Sequence, residues 1–469
     1  MAVLQKSAAS ASPAWDALEV FVAARRSADG PVENLEAFEV KLHQMFTAAE
    51  SEAIGQELVH FDIDSPVVEI DGIAHRRVVR CETEYLAASG RVRVLRSLYS
   101  TRQAGVHAVC PMELRAGIVE GHWTPLAAKQ AAWAVAHLTP KEAETLFATL
   151  GGMCPSRSSL DRLPKQLSDR WEKERRVFEA KLRSEERVPT EAVCVAVSLD
   201  GVKIPVKNGE ATTGRYWRGP CKFQEVGCAT QSFYDADGER LRTVRMARMP
   251  ENYKKTVKSM LVEELDVVLA QRPDLQLVKV ADAALDLWNF MDQELPPGIC
   301  IVDFFHAAEH LHKALQVGHG EGTVKCREEF ERLRHVLRHD PRGIDRVIRS
   351  LSYLRSRHPN SKTIRIELKF FRKNRARMAY AETAAKNLPI GSGVVEASCK
   401  TLATQRLRRS GMRWRRDGGQ AILTLRSLAQ SDRFDRGWNL LAETYRQPVA
   451  LPRKVTALCS AKYRRSVSV

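Results

Sequence analysis

Hydrophobic and polar positions fall into two kinds of block in the first part of the chain. Residues 1–58 carry apolar side chains at helical spacing, as in L-E-A-F-E-V-K-L-H-Q-M-F. From 59 to 122 apolar and polar residues alternate, and the turn signals Asp71-Gly72 and Ser89-Gly90 divide the segment. The pattern predicts a helical N-terminal region followed by a small antiparallel β segment.

Helical spacing returns over 123–190. Thr-Pro pairs at 124 and 139 are typical helix starts, and Gly151-Gly152 separates the second of these helices from one that opens at Ser156. We expect a further long, charged helix from about 168 to 188. The outline fits a helix-turn-helix, whose second helix would enter a DNA major groove, and it fits a plain helical hairpin as well.

Strands and helices alternate from 191 to 306. An apolar, β-branched run at 195–205 contains Asp200, which we expect at the exposed end of a buried strand. Asp237-Gly238 is a hairpin turn signal. Antiparallel partners followed by crossover-linked strands predict a mixed α/β sheet with a site along its C-terminal edge. The other predicted elements are a strand at 214–231, a helix at 250–271, and strands at 275–282 and 299–306.

The last third of the chain is mainly helical in pattern. Residues 307–385 show helical runs and no convincing strand, so we interpret them as an all-α insertion. Residues 386–431 open on the glycine-rich turn I-G-S-G, which leads into a helix that carries Glu396. Residues 432–469 are interpreted as a peripheral C-terminal tail.

Three acids follow an apolar strand or a glycine-rich turn: Asp200, Asp282 and Glu396. Two hard divalent cations about 4 Å apart need several anionic oxygens from separate elements, and such a pair serves phosphodiester chemistry. Each acid taken alone is better explained as a strand-end turn or helix cap. The three together favour a metal site.

The charge balance points to a polyanionic partner, because 73 Lys plus Arg against 57 Asp plus Glu leave a net charge of +16. A basic enzyme with a solvated surface is the alternative. No apolar run reaches the roughly 18 residues that span a bilayer, and residues 1–13 lack the basic start and apolar core of a secretory signal, so we expect a cytoplasmic protein without a membrane partner. The ten scattered cysteines fit packed, reduced thiols better than a zinc site.

Basic residues concentrate around the last predicted acid. Residues 351–420 hold 17 Lys plus Arg against four acids, which would neutralise DNA phosphates near a cleavage point. A solvated basic helix face is the alternative interpretation. The candidate DNA-binding residues are Lys400, Arg406, Arg408, Arg409, Arg413, Trp414, Arg415 and Arg416.

Five motifs in order resemble those of bacterial insertion-sequence transposases of the DDE class, in the Kra-type and Lre-type group and more distantly the Mutator-like transposases. They are S-L-D-G-V, V-A-D-A-A-L-D-L-W, V-D-F-F-H-A-A-E-H-L, I-G-S-G-V-V-E-A-S-C-K and R-L-R-R-S-G-M-R-W, within about 195–430. The resemblance implies a ribonuclease-H-like catalytic core, formed by 191–306 and 386–431, with an all-α insertion between the two parts.

The resemblance also implies the roles of single residues. Asp200 would be the first metal ligand, shared by two Mg²⁺ ions for which Mn²⁺ can substitute, and Asp282 and Glu396 would be the second and third ligands. The family commonly has glycine after the second acid, where this chain has Ala283. If that turn needs a positive φ, the alanine would impair the site.

Asp303 and His306 form a D-x-x-H signature similar to one in Mutator-like and related transposases. Asp303 therefore competes with Asp282 for the role of second ligand, and we favour Asp282. His306 would orient a DNA strand or a catalytic carboxylate, and a helix-capping or core histidine is the equal alternative.

The resemblance implies a bacterial, nucleoid-associated DNA transposase. It would bind the terminal inverted repeats of its element and target double-stranded DNA, cleave and join strands, and act as a homodimer or a larger synaptic assembly. A ribonuclease-H-like nuclease without strand transfer is one alternative. A catalytically inactive or domesticated DNA-binding protein is another, and an RNA-binding protein is disfavoured because no aromatic pair of an RNA-recognition sheet is present.

Overall fold

The computed structural model describes residues 12–101, 108–207 and 220–452. The chain divides into two compact units. The first comprises residues 1–174 and 435–469, and the second comprises residues 175–434. Each unit is described separately below.

The first unit combines helices with a small antiparallel sheet of order β1-β2-β3. The predicted turns are confirmed, since Ile70 pairs with Ile73 across one and Ala87 pairs with Gly90 across the other. Its elements are α1 (Pro13–Arg26), α2 (Leu35–Phe61), β1 (Val67–Ile70), β2 (Ile73–Ala87), β3 (Gly90–Ser100), α3 (Pro111–Ala116), α4 (Pro125–His137), α5 (Pro140–Leu150) and the start of α6 (Arg157–Ser184).

Both predicted Thr-Pro helix starts in this unit are confirmed by α4 and α5. The Thr139 side chain accepts a hydrogen bond from the backbone N–H of Glu142, and the Glu142 carboxylate accepts one from the Thr139 N–H, so two free N–H groups of α5 are satisfied. The predicted division of the following segment at about residue 168 is wrong. One helix, α6, continues because Leu160, Leu163, Leu167 and Trp171 keep a single buried face at helical spacing.

The second unit contains a five-stranded mixed sheet of order β6-β5-β4-β7-β8. β4, β5 and β6 are antiparallel neighbours, and β7 and β8 add in parallel on the other side of β4. The elements are β4 (Cys194–Lys207), β5 (Cys221–Tyr234), β6 (Arg240–Arg248), a 3₁₀ turn (Asn252–Lys254), α7 (Lys255–Gln271), β7 (Gln276–Ala281), α8 (Leu285–Gln293) and β8 (Ile299–Val302).

The Asp237-Gly238 hairpin is confirmed, because it joins β5 to β6 and Gly238 has a φ of +82°. Of the strand predicted at 214–231, residues 214–219 lie outside the described part of the chain. The strand predicted at 299–306 is wrong beyond Val302. Asp303 caps a helix by accepting a hydrogen bond from the His306 N–H, and the following apolar residues pack as one helical face.

β4 does not end at Asp200, which corrects the expectation from sequence. The strand continues to Lys207 because Val202 and Ile204 keep the apolar alternation and pair with Val226 and Gln224 of β5. Only the parallel pairing with β7 stops nearby, at Ser198. Asp200 therefore lies within a long hairpin, at the point where the neighbouring parallel strand ends.

Among the described residues, the segment from Phe304 to Ala384 contains helices and no strand. Glu396 lies on a short helix that continues into a π-helical segment, a helix type frequent at functional sites. The elements are α9 (Phe304–His319), α10 (Val324–His339), α11 (Gly343–Arg357), α12 (Lys362–Asn374), a 3₁₀ turn (Arg375–Arg377), α13 (Tyr380–Ala384), α14 (Gly393–Ser398), the π-helix (Cys399–Thr404), α15 (Gln405–Leu407), α16 (Arg416–Gln430) and α17 (Phe434–Glu443).

The core of the second unit joins the sheet to its helices. Val195, Val197 and Val280 of the central strands lie with Leu261 of α7 and Leu311 of α9 in one buried apolar cluster. Burial of such side chains contributes about 1.5–3 kcal/mol each to folding. The cluster fixes the ends of β4, β7 and β8, and with them the acids that follow.

A buried ion-pair network holds three distant segments of the second unit together. The Arg433 guanidinium donates to Glu186 Oε2 at 2.7 Å and to both Glu264 oxygens at 2.7 and 2.9 Å. All three side chains are buried. The network is bidentate at Glu264, the strongest geometry for an arginine and a carboxylate.

Candidate carboxylate site and basic surface

Asp200 and Asp282 lie side by side because of the parallel register between β4 and β7. Ser198 is the partner of Val280, and each acid follows two residues later, which returns its side chain to the same face of the sheet. Burial of the carboxyl group, followed by the negative charge of Asp282, raises the pKa of Asp200, and a backbone hydrogen bond from Gly201, the charge of Lys254 and a thiol contact oppose the rise. The structure thus brings together two of the three predicted ligands.

The backbone at Asp282 is fixed by the motif that follows it. Its Oδ1 accepts a hydrogen bond from the Ala284 N–H at 2.9 Å, and its carbonyl oxygen accepts the Trp288 indole N–H at 2.7 Å. Trp288 is buried in α8. Ala283 does not adopt a positive φ, so this turn does not require glycine and the alanine introduces no backbone strain.

Glu396 stands in the first turn of α14, which packs against β4 and β5. Three residues later, on the same helical face, the Cys399 thiol donates to Asp200 Oδ2 at 3.7 Å. The Glu396 side chain is exposed, and its Oε1 accepts the Ser392 hydroxyl at 2.7 Å. Glu396 is therefore held one helical turn from the residue that touches Asp200, while its carboxylate is hydrogen-bonded to its own helix start.

Asp303 is buried and both of its carboxylate oxygens are occupied by backbone donors. Oδ1 accepts the His306 N–H at 2.6 Å, and Oδ2 accepts the Ser392 N–H. The adjacent Gly391 leaves little room, since an added Cβ there would lie 3.2 Å from the Phe305 ring. Asp303 connects the end of β8 to the turn that precedes Glu396.

His306 belongs to a polar chain within the helical segment. Its Nε2 lies 3.2 Å from His310 Nε2, and His310 Nδ1 is hydrogen-bonded to the buried carboxylate of Glu367. The His310 ring stacks on Phe370 with 3.7 Å between ring centroids. These contacts orient the two imidazoles relative to α12. The hydrogen bond between His306 and Asp303 uses only the backbone N–H of His306.

The donors at the site are oxygens, which suits a hard divalent cation, and a cation would relieve the repulsion between Asp200 and Asp282. Within the described ranges, however, no group of three or more His, Cys, Asp or Glu side chains is arranged to hold a metal ion. Asp200 and Asp282 are near enough for the charge of one to raise the pKa of the other. Glu396 would complete a set of three through its other oxygen, Oε2, while Oε1 stays hydrogen-bonded to Ser392.

The predicted DNA-binding residues fall into two groups. Arg406 is 2% exposed and its guanidinium lies 5.4 Å from the centre of the Trp414 ring. Trp414 pairs with β4 through its backbone and donates its indole N–H to Leu407 O at 2.7 Å, so both side chains serve packing. The exposed members are Lys400, Arg408, Arg409, Arg413, Arg415 and Arg416.

Three residues at the site were not identified from sequence: Ser392, Cys399 and Lys254. The spacing of Ser392 and Cys399 from Glu396, four residues before and three after, would have placed them on its helical face. Lys254 had no such signal. It reaches the site through tertiary packing, forms an ion pair with Glu225, and has a φ of +54°.

No protein-family model and no curated protein matches this chain. Among solved structures, a Drosophila P element transposase strand transfer complex is similar over 70% of this chain and 82% of that chain. The sequence identity is 10% and the TM-score is 0.25. A similarity at this level does not establish a shared fold or activity. Of the described helices, none is long and apolar enough to cross a membrane.

Proposed function

We propose that this protein is a DNA transposase whose ribonuclease-H-like core cleaves and joins DNA strands at the carboxylate site. The observation that supports the proposal is the register of β4 and β7, by which Asp200 and Asp282 follow paired positions, together with the contact of Cys399, three residues after Glu396, with Asp200. The strand order β6-β5-β4-β7-β8, with the first strand central, supports a ribonuclease-H-like core. The helices from α9 to α13 stand between β8 and the helix of Glu396, as the five-motif resemblance implies.

The residues that would hold Mg²⁺ or Mn²⁺ are Asp200, Asp282 and Glu396. Two such ions, when bound, would activate the attacking oxygen and stabilise the leaving 3′-oxygen. The contribution of this chain is to fix the two aspartates at adjacent strands and to bury Asp200 partly. Asp303 is better suited to positioning than to metal binding, because both of its oxygens already accept backbone hydrogen bonds.

DNA would lie over the exposed cations that flank this edge, at Lys400, Arg408, Arg409, Arg413, Arg415 and Arg416. These side chains would neutralise phosphates on either side of the cut. We assign Arg406 and Trp414 to the support of that surface. The double-stranded substrates would be the terminal inverted repeats of an element and a target, brought together by a homodimer or a larger assembly.

The test is cleavage and joining of DNA that carries the sequences flanking the coding region. Asp200→Ala, Asp282→Ala and Glu396→Ala should each abolish Mg²⁺-dependent cleavage while duplex binding persists. Asp286→Ala is the matched control, because Asp286 is an exposed acid in the first turn of α8, four residues after Asp282. Full cleavage in any one of the three variants would remove that residue from the ligand set.

Two alternative functions remain as outcomes of the same experiment. Cleavage without joined products, when pre-cut ends and a target plasmid are supplied, would identify a nuclease without strand transfer. Binding that is tight and independent of Mg²⁺, with no cleavage under Mg²⁺ or Mn²⁺, would identify a domesticated DNA-binding protein.

A further inference from the structure

The groove between α11 and α12 differs in charge from the rest of the helical segment. It has a volume of about 560 Å³, and its lining contains five cationic side chains and no acid. None of the residues of the carboxylate site lines it. The five cations are Arg355, Arg365, Lys369, Arg372 and Lys373.

α12 has one buried apolar face and one cationic face. Ile364, Leu368 and Phe371 are buried, and the only acid of the helix, Glu367, is buried with them and bonded to His310. The exposed face carries Arg365 and, four, seven and eight residues later, Lys369, Arg372 and Lys373. The helix therefore turns its one negative charge inward and its cations outward.

Two of the five cations shape the groove. The Arg355 guanidinium donates to the carbonyl oxygens of His358 and Ser361 at 3.2 and 3.3 Å, which fixes the connection between α11 and α12. Arg372 donates to Ser352 Oγ at 3.1 Å across the groove. Within the described ranges, Arg365, Lys369 and Lys373 have no acidic partner.

On the neighbouring helices several cations do have acidic partners. On α10, Arg332 pairs with Glu329 and Arg334 pairs with Glu331. Arg346 of α11 pairs with Asp340. Cations with acids three residues away form the usual solvated helix surface. The groove lacks that compensation, so its like charges repel one another until an anion binds.

We propose that the α11–α12 groove binds the phosphate backbone of double-stranded DNA, as a contact site separate from the carboxylate site. From Arg365 to Lys373 the helix rises about 12 Å, which equals the rise of about three to four base pairs along the duplex axis. Aromatic rings, on which unpaired bases stack, are absent from the groove lining, and this favours duplex over single-stranded nucleic acid. The assignment rests on the proposed function for its choice of DNA as the polyanion.

The groove is tested by the salt dependence of binding to a short duplex of unrelated sequence, measured by fluorescence anisotropy on the full chain. The slope of log K against log salt is negative, and each phosphate contact adds about 0.9 to its magnitude. The variant Arg365→Gln/Lys369→Gln/Lys373→Gln should therefore lower that magnitude by about 3. It retains Arg355 and Arg372, which support the groove. The control is Arg332→Gln/Arg334→Gln/Arg346→Gln, which removes the same number of positive charges from paired positions and should leave the slope nearly unchanged.

Equal slopes in the parent and the groove variant would overturn the proposal, as would equal losses in the groove variant and the control. A loss confined to single-stranded DNA or RNA would overturn it as well and assign the groove to unpaired nucleic acid. Should the triple variant be unfolded by circular dichroism, Lys369→Gln alone should lower the slope by about 1. Cleavage is measured in a separate assay, with Asp200→Ala as its control. If the groove binds DNA but the protein cleaves none, this inference holds and the proposed reaction is refuted.

Discussion

The Ser392 hydroxyl donates a hydrogen bond to Glu396 Oε1 at 2.7 Å, and the two residues are one helical turn apart. The Ser392 N–H meanwhile donates to the buried carboxylate of Asp303. One serine therefore couples the end of β8 to the acid proposed as the third metal ligand. A bond of this kind leaves the second oxygen of Glu396 free and restricts where its carboxylate can move.

Ser392→Ala should weaken metal binding with little effect on folding. Loss of a hydrogen bond that orients a ligating carboxylate costs about 10–100-fold in metal affinity or activity. The expected result is a rise of that size in the Mg²⁺ concentration needed for half-maximal cleavage. Ser410→Ala, at an exposed position, is the control. An unchanged Mg²⁺ requirement would show that Glu396 does not act through this bond.

Asp303→Ala and Asp282→Ala should separate stability from cleavage. Asp303 is 1% exposed and accepts two backbone hydrogen bonds, one of them at the N-cap of α9, so its loss should lower the free energy of unfolding by about 2 kcal/mol. Asp282 is half-buried with one such bond, and its loss should cost less stability but all cleavage. Chemical denaturation and a cleavage assay measure the two effects. A stable Asp303 variant without cleavage would instead favour Asp303 as the second ligand.

Arg433→Ala should destabilise the second unit strongly. It would remove the bidentate partner of the buried Glu264 and leave Glu186 paired with Arg242, and breaking a buried ion pair in this way costs about 3–5 kcal/mol. Arg349→Ala, at an exposed position of α11, should change stability by less than about 0.5 kcal/mol. Urea denaturation of both variants provides the comparison. Similar midpoints would mean that the network contributes no net stability.

The sequence predicted best what depends on local pattern. Strict alternation and the Asp-Gly and Ser-Gly turns located β2, β3 and the β5–β6 hairpin, and Thr-Pro pairs located α4 and α5. The apolar runs ahead of Asp282 and Asp303 located β7 and β8. These signals are confined to a few neighbouring residues, so one sequence suffices to recognise them.

What the sequence did not predict depends on distant partners. Asp200 lies inside a strand because β5 pairs along the full length of β4, and no local signal reports that pairing. In sequence Arg406 does not differ from its exposed neighbours, but in the structure it is buried and packs against Trp414. The Arg433 network joins residues that are 169 and 247 positions apart. Whether a charged residue is exposed is decided by tertiary contacts, which composition and spacing do not contain.

Asp200→Asn should stabilise the protein at neutral pH and not at acid pH. Burial and the charge of Asp282 raise the pKa of Asp200 above its ordinary value of 3.8, so the folded state disfavours the ionised carboxylate. The contribution of this group to stability is complete below its ordinary pKa and is lost as the pH rises through the raised value. The uncharged amide avoids that loss, which predicts a higher melting temperature than wild type at neutral pH. The two melting temperatures should converge once the pH falls below 3.8.

The same variant distinguishes a metal site from a merely repulsive pair of acids. Millimolar Mg²⁺ at neutral pH should raise the melting temperature of the wild type, because a ligand that binds only the folded state stabilises it. Asp200→Asn should show little or no rise, since the amide supplies no charge to the cation. Glu382→Gln, a replacement outside the site, should respond to Mg²⁺ as the wild type does. An equal Mg²⁺ response in wild type and Asp200→Asn would show that Asp200 holds no metal, whatever the pH dependence of its stability.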